Sequence, residues 1–275
     1  MKTVRKKRLL HRITRKNILG KGKQGIVYNV VNTNGIHYAL KSGDIGEHEI
    51  EFAETVAVKY PNHFMILYDH DKETLIYSKI DLTFRDYLQH SKLSNTVLYD
   101  LYIQMMYIIC ILQKEGWTHH DFHSGNIGLV KTKDETIEIK GHRIPTHGYY
   151  VQAIDYGSVV HSVLPYRDLY RLFASYVYDT HTHTYKDIWS IQKKPFLSFQ
   201  KKKIQQYLPT STDMKEQWRN NDISFVLFQL LYPTDFKKAY PSIDKFIYLP
   251  TKVMLYIIKH IDTPTRCLDY LIAHR

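Results

Sequence analysis

Apolar and polar residues first follow strand spacing and then shift to helical spacing. Val27-Tyr28-Asn29-Val30-Val31 is a strand-like run, Asn32-Thr33-Asn34-Gly35 is turn chemistry, and Ile36-His37-Tyr38-Ala39-Leu40 is a returning strand. Residues 26–41 therefore predict a β-hairpin, with Asn-Gly supplying positive φ. Glu47 to Tyr60 predicts a helix, because Ile50, Phe52, Ala53, Val56 and Ala57 fall near helical spacing before Pro61. Phe64 to Tyr68 and Thr74 to Ser78 predict two more strands. Beyond residue 78, Phe84–His90, Val97–Gln113, Asp168–Tyr178, Met214–Leu231 and Thr251–His260 read as helices. A strand-rich stretch interrupts them at Ile127–Val130, Thr136–Ile139 and Tyr150–Ile154. The expected class is α+β: a basic tail over 1–16, a small β-rich lobe over 17–79 and a larger helical lobe over 80–275, hinged near Ile80-Asp81-Leu82.

Composition narrows the picture. The 275 residues suffice for a real core, and 44% hydrophobic with 24% charged residues excludes a disordered or fibrous chain. Lysine plus arginine is 38 against 27 acidic residues, so the net charge of +11 favours polyanionic partners. The run Arg5, Lys6, Lys7, Arg8, Arg12, Arg15 and Lys16 reads as a solvated tail or as a nucleic-acid-contacting or nuclear-targeting segment. Two cysteines, Cys110 and Cys267, exclude a disulfide scaffold and a thiolate zinc site, so a reducing intracellular compartment is expected. Met1 to Lys16 has no apolar run, so no secretory signal is expected. Val97 to Leu112 carries Asp100 and Gln104 and is expected to be a buried helix, too short and polar to cross a bilayer.

Four short motifs carry chemistry. Gly20-Lys21-Gly22-Lys23-Gln24-Gly25 precedes a β-branched strand that includes Val27. A dinucleotide-binding loop would need a helix there, whereas a glycine loop between antiparallel strands can lie over phosphates. Ala39-Leu40-Lys41 ends the returning strand and places an ammonium one hairpin later. On the following helix Glu49 is the preferred partner, with Glu51 and Glu54 open. His119-His120-Asp121-Phe122-His123-Ser124-Gly125-Asn126 contains Asp-x-x-x-x-Asn, in which Asp121 handles the proton of an attacking hydroxyl and Asn126 holds magnesium. A metal site built from the three histidines is disfavoured by their crowding on one tight loop. Ala153-Ile154-Asp155-Tyr156-Gly157 supplies a second hard oxygen ligand, Asp155.

Together and in this order, the motifs resemble the signature of the protein kinase superfamily over residues 17–178. The segment Glu138-Ile139-Lys140-Gly141-His142-Arg143-Ile144-Pro145-Thr146 before the DYG strand is similar to haspin-type atypical kinases and to the small serine/threonine kinases of large DNA viruses. The resemblance implies a bilobal kinase fold and ATP with Mg2+ as cofactors. The acceptor would be a serine or threonine of a protein substrate. It also implies Tyr77 as gatekeeper, Ser78 to Ile80 as the adenine-binding hinge, and Asp168, with His119, as anchor of the catalytic loop. A monomer without membrane association is expected.

The chain departs from that pattern in three places. His120 replaces the arginine of the HRD motif, His123 stands where a lysine is usual, and no Ala-Pro-Glu follows Gly157. Arg167-Asp168-Leu169-Tyr170 arrives almost at once, so the activation segment is minimal and activity without loop phosphorylation is expected. Two rival readings remain: a small-molecule phosphotransferase of the aminoglycoside- or choline-kinase type, and a pseudokinase or basic nucleic-acid-binding scaffold.

Overall fold

The computed structural model describes residues 9, 13–22, 25–90, 93–162, 168–169, 172, 176–179, 184–187, 229, 231–239, 251–260 and 263–275. A five-stranded antiparallel sheet dominates the first part, in the order β1-β2-β3-β5-β4. Its strands are β1 (Ile13–Gly22), β2 (Gly25–Asn32), β3 (His37–Gly43), β4 (Leu67–His70) and β5 (Thr74–Ser78). The β2–β3 hairpin turns at Asn32, whose carbonyl accepts from Gly35 at φ +79. Pairings Val27↔Lys41 and Ala39↔Tyr77 set the register that matters below. Ala39 and Tyr77 belong to the main core, whereas Val30, Tyr38, Leu40 and Ile76 form a small separate one, packed by Leu9 and Ile13.

Helix α1 (Glu47–Thr55) crosses this sheet and buries Glu49, Phe52 and Ala53. It stops earlier than the periodicity predicts. Thr55, Val56 and Val58 are β-branched and poor at prolonging a helix, and a short 3-10 turn, Ala57–Lys59, carries the chain to Pro61. The strand expected at Phe64–Tyr68 lies at Leu67–His70 instead. Phe64 is fully buried and bridges Ala153 of the other lobe, which leaves Leu67 as the first residue able to pair with β5.

The second part is α+β and mainly helical, with α2 (Phe84–His90), α3 (Asn95–Lys114), α4 (Pro233–Ala239), α5 (Thr251–His260) and α6 (Pro264–Ala273). Short strands β6 (Leu82–Thr83), β7 (Ile127–Lys131) and β10 (Tyr149–Ala153) form one sheet, and β8 (Thr136–Ile139) pairs with β9 (His142–Pro145). At 20 residues α3 is longer than expected, and by length and composition it is apolar enough to cross a membrane; 72% of that stretch is buried inside the protein. Asp100 of α3 is fully buried, paired with Arg275 and lying 2.8 Å from His147 Nε2. Helix α6 was not expected. Thr263 caps it by accepting from Arg266 N, Pro264 opens it, and Cys267, Leu268 and Leu271 bury.

The helix expected over Asp168–Tyr178 is shorter. Asp168, Leu169 and Leu172 are helical, but Tyr176–Asp179 is a strand, β11, paired with β12 (Thr184–Asp187). Tyr176-Val177-Tyr178 is aromatic and β-branched, which suits a hairpin better than a helix. Most of the helix expected over Met214–Leu231 lies outside the described residues, as does most of the basic tail. Arg15 and Lys16, at the end of that basic run, already lie in β1, where Arg15 sits 4.7 Å above the Tyr28 ring.

Candidate active site

Lys41 and Glu49 meet because β3 and α1 share one face of the sheet. Lys41 Nζ donates to Glu49 Oε1 at 2.9 Å and Oε2 at 2.8 Å. It also donates to Asp155 Oδ1 at 3.1 Å, a contact between residues 114 apart in sequence. Tyr77 Oη donates to Glu49 Oε1 at 3.2 Å. Lys41 and Glu49 are only 6% and 1% exposed, so these bonds form with little solvent screening. Burial works to lower the Lys41 ammonium, but Asp155 and Glu49 beside it prevail and hold it above its usual value. Burial pushes the Glu49 carboxyl up, against the pull of Lys41. Of the other glutamates considered, Glu51 faces His48 and Glu54 faces His70 on the surface.

The loop after α3 is held by Asp168. Its carboxylate accepts from His119 N at 2.8 Å and His120 N at 2.9 Å. This supports His120 at φ +65, a conformation costly for a residue with a Cβ. His119 Nε2 lies 3.0 Å from the Ile154 carbonyl, which joins the loop to the strand before Asp155. Asn126 Nδ2 donates to the Asp121 carbonyl at 3.0 Å and to its Oδ2 at 3.1 Å. The Gly125 amide donates to His123 Nδ1 at 3.0 Å, so the proton of a neutral His123 ring sits on Nε2, 3.4 Å from Asp121 Oδ2. Burial holds His123 below its usual value, opposed by Asp121 and assisted by the Arg85 guanidinium.

Asp155 sits at φ +59 with its side chain 46% exposed. The next residue, Tyr156, is fully buried, and its hydroxyl donates to the carbonyls of Met65 at 2.9 Å and Ala153 at 3.1 Å. Its ring packs on Phe52 of α1 at 4.8 Å and faces Tyr77 edge-on at 5.8 Å. One aromatic cluster thus ties together α1, β5 and the turn that presents Asp155. Just beyond, Val160 exchanges backbone hydrogen bonds with Thr118, both 3.0 Å, immediately before the His119–Asn126 loop.

The remaining expected residues lie on the same sheet or on the segment that follows it. Gly20, Lys21 and Gly22 end β1, and Gly25 starts β2 at φ +143; a Cβ there would meet the Ser42 carbonyl at 2.3 Å. Val27 and Ala39 line the sheet beside Lys41. Ser78 is pinned to Ile66 by its backbone N–H at 2.8 Å and its hydroxyl at 2.9 Å. Ile80 packs on Gly128, where a Cβ would lie 2.6 Å from its Cγ2.

Two contributors were not legible in the sequence. The Tyr77 hydroxyl donates to Glu49 while its ring packs against Tyr156. Arg85 of α2 covers Gly125 so closely that a Cβ at 125 would lie 2.2 Å from its Nη2. The glycine is the visible trace of that approach, but nothing in the sequence says which side chain takes the space.

No protein-family model and no curated protein matches the chain. Among solved structures it is similar to a Plasmodium kinase domain, at 16% identity and TM-score 0.41, covering 55% of this chain and 52% of that one. It is also similar to the autoinhibited serine kinase domain of the giant muscle protein titin, at 16% identity and TM-score 0.42, covering 58% and 49%. The chain spans about half the length of each.

Proposed function

We propose that this protein is a serine/threonine protein kinase that transfers the γ-phosphoryl group of ATP to a protein hydroxyl. The observation that carries this reading is the contact of Lys41 with both Glu49 and Asp155, which brings a fixed cation and a half-exposed carboxylate together. Phosphoryl transfer asks mainly for positioning and charge neutralisation. Lys41 and the backbone of Gly20, Lys21, Gly22 and Gly25 orient the phosphates. Ala39, Val27, Tyr77 and Ile80 bound the adenine space, with Ser78 fixing the course of the hinge.

The donor set fits magnesium. Asn126 spends its Nδ2 on Asp121, and no described hydrogen bond uses its amide oxygen. Asp155 adds a half-exposed carboxylate, and no cluster of three or more His, Cys, Asp or Glu able to hold a metal occurs among the described residues. Two hard oxygens suit a cation that completes its shell with phosphates and water. When bound, magnesium neutralises phosphate charge. Asp121 orients the acceptor hydroxyl and takes its proton as the new P–O bond forms and the bond to the β-phosphate oxygen breaks. His123, neutral and turned to Asp121 by Gly125, fixes that carboxylate. The short path from Asp155 to Asp168 and the Thr118–Val160 pairing support activity without activation-loop phosphorylation.

The test is ATP binding by calorimetry, with and without Mg2+, followed by transfer to protein acceptors beside aminoglycosides and choline. The reading expects Mg2+-dependent binding, transfer to protein alone, and activity that survives phosphatase treatment. Transfer only to the small molecules, or no binding, contradicts it.

A further inference from the structure

Glu49 is nearly sealed from water at 1% exposure, so each carboxylate oxygen needs a donor. Lys41 supplies both, yet its three N–H groups are already shared between Glu49 and Asp155. A phosphate oxygen arriving at Lys41 must take one of those places. The Asp155 contact is the accessible one, with that side chain 46% exposed against 1% for Glu49. Phosphate therefore replaces Asp155, and Glu49 becomes the protein group that aims Lys41. The aim of Lys41 is then only as good as the aim of Glu49.

One further group holds Glu49. The Tyr77 hydroxyl reaches Oε1 from β5, and its ring, 2% exposed and edge-on to Tyr156, cannot turn away without opening the core. The geometry points to Tyr77 as a positioning residue for phosphoryl transfer: its hydroxyl clamps Glu49 and, through it, Lys41. This role differs from closing the adenine pocket, and it rests on the proposed kinase activity.

Tyr77→Phe keeps the ring and removes the donor. With ATP and a protein acceptor, kcat/KM for ATP is expected to fall about tenfold or more, the size of one hydrogen bond to a charged group. In a Glu49→Ala background the same change should cost less than about twofold, because nothing is left to clamp. Equal losses in both backgrounds mean that the hydroxyl acts independently of Glu49 and overturn the inference, as does no loss in the first. Urea unfolding of the same four proteins provides a readout independent of turnover, with Glu49→Gln replacing Glu49→Ala if the latter does not fold. Coupling in stability without coupling in kcat/KM makes Tyr77 merely structural and overturns the positioning role. If the unmodified chain transfers no phosphate, the proposed function fails; absence of coupling in urea then removes the clamp as well.

Discussion

The two halves of the cleft are built in opposite ways. On the sheet side, Lys41, Glu49 and Tyr77 are buried and joined by hydrogen bonds. On the loop side, the Asp121 side chain is 36% exposed, accepts from Asn126 and lies beside His123. A buried ion pair is rigid but intolerant of losing a partner, whereas an exposed carboxylate can exchange substrate and be altered at little structural cost. Under the proposed function, the sheet side therefore couples activity to stability, whereas Asp121 on the loop side is expected to separate them.

The largest break in that contrast is Lys41→Met, which leaves Glu49 in the core without its cation. It should cost about 3–5 kcal/mol in urea unfolding as well as most activity. Asp121→Asn is its counterpart: kcat should drop about 100-fold or more, with the urea midpoint unchanged. If both variants lost stability equally, the contrast would be wrong. Asp168→Ala removes the acceptor for two backbone N–H groups and leaves His120 strained, so about 2–3 kcal/mol of stability should go, with slower turnover.

A smaller effect concerns pH. Burial lowers His63 from 6.5 to about 4, so the folded protein binds its proton later than the unfolded chain. Its contribution is present above about pH 6.5 and is lost as pH falls from there toward about 4. His63→Phe, which can still meet the Tyr107 ring, should flatten that acid limb in urea titrations at pH 4–7. The smallest is Gly125→Ala. The Cβ would displace the end of Arg85 and press on the His123 ring, so stability should fall by about 1 kcal/mol, with a modest drop in kcat.

Local signals were legible and distant ones were not. The hairpin, α2 and β5 followed from spacing and turn residues alone. Glu49 could be preferred but not separated from Glu51 and Glu54, because the same short helix offers all three; only the packing of Phe52 and Ala53 decides which is inside. The Tyr77–Glu49 bond and the cover of Gly125 by Arg85 depend on how separate elements dock, which no periodicity encodes. Phe64 misled because a residue good for a strand was also good for a core contact with Ala153. Helix α6 carried its signals in Thr263-Pro264 and in the spacing of Cys267, Leu268 and Leu271.

The most direct measurement is transfer of radiolabelled γ-phosphate from ATP to histone, casein and basic-protein mixtures by the unmodified chain, Asp155→Ala and Asp121→Ala, with folding checked by circular dichroism. A shared phosphotransfer cleft predicts label incorporated by the unmodified chain and a loss of about 100-fold or more in both variants at unchanged fold. Equal incorporation by all three proteins would contradict it.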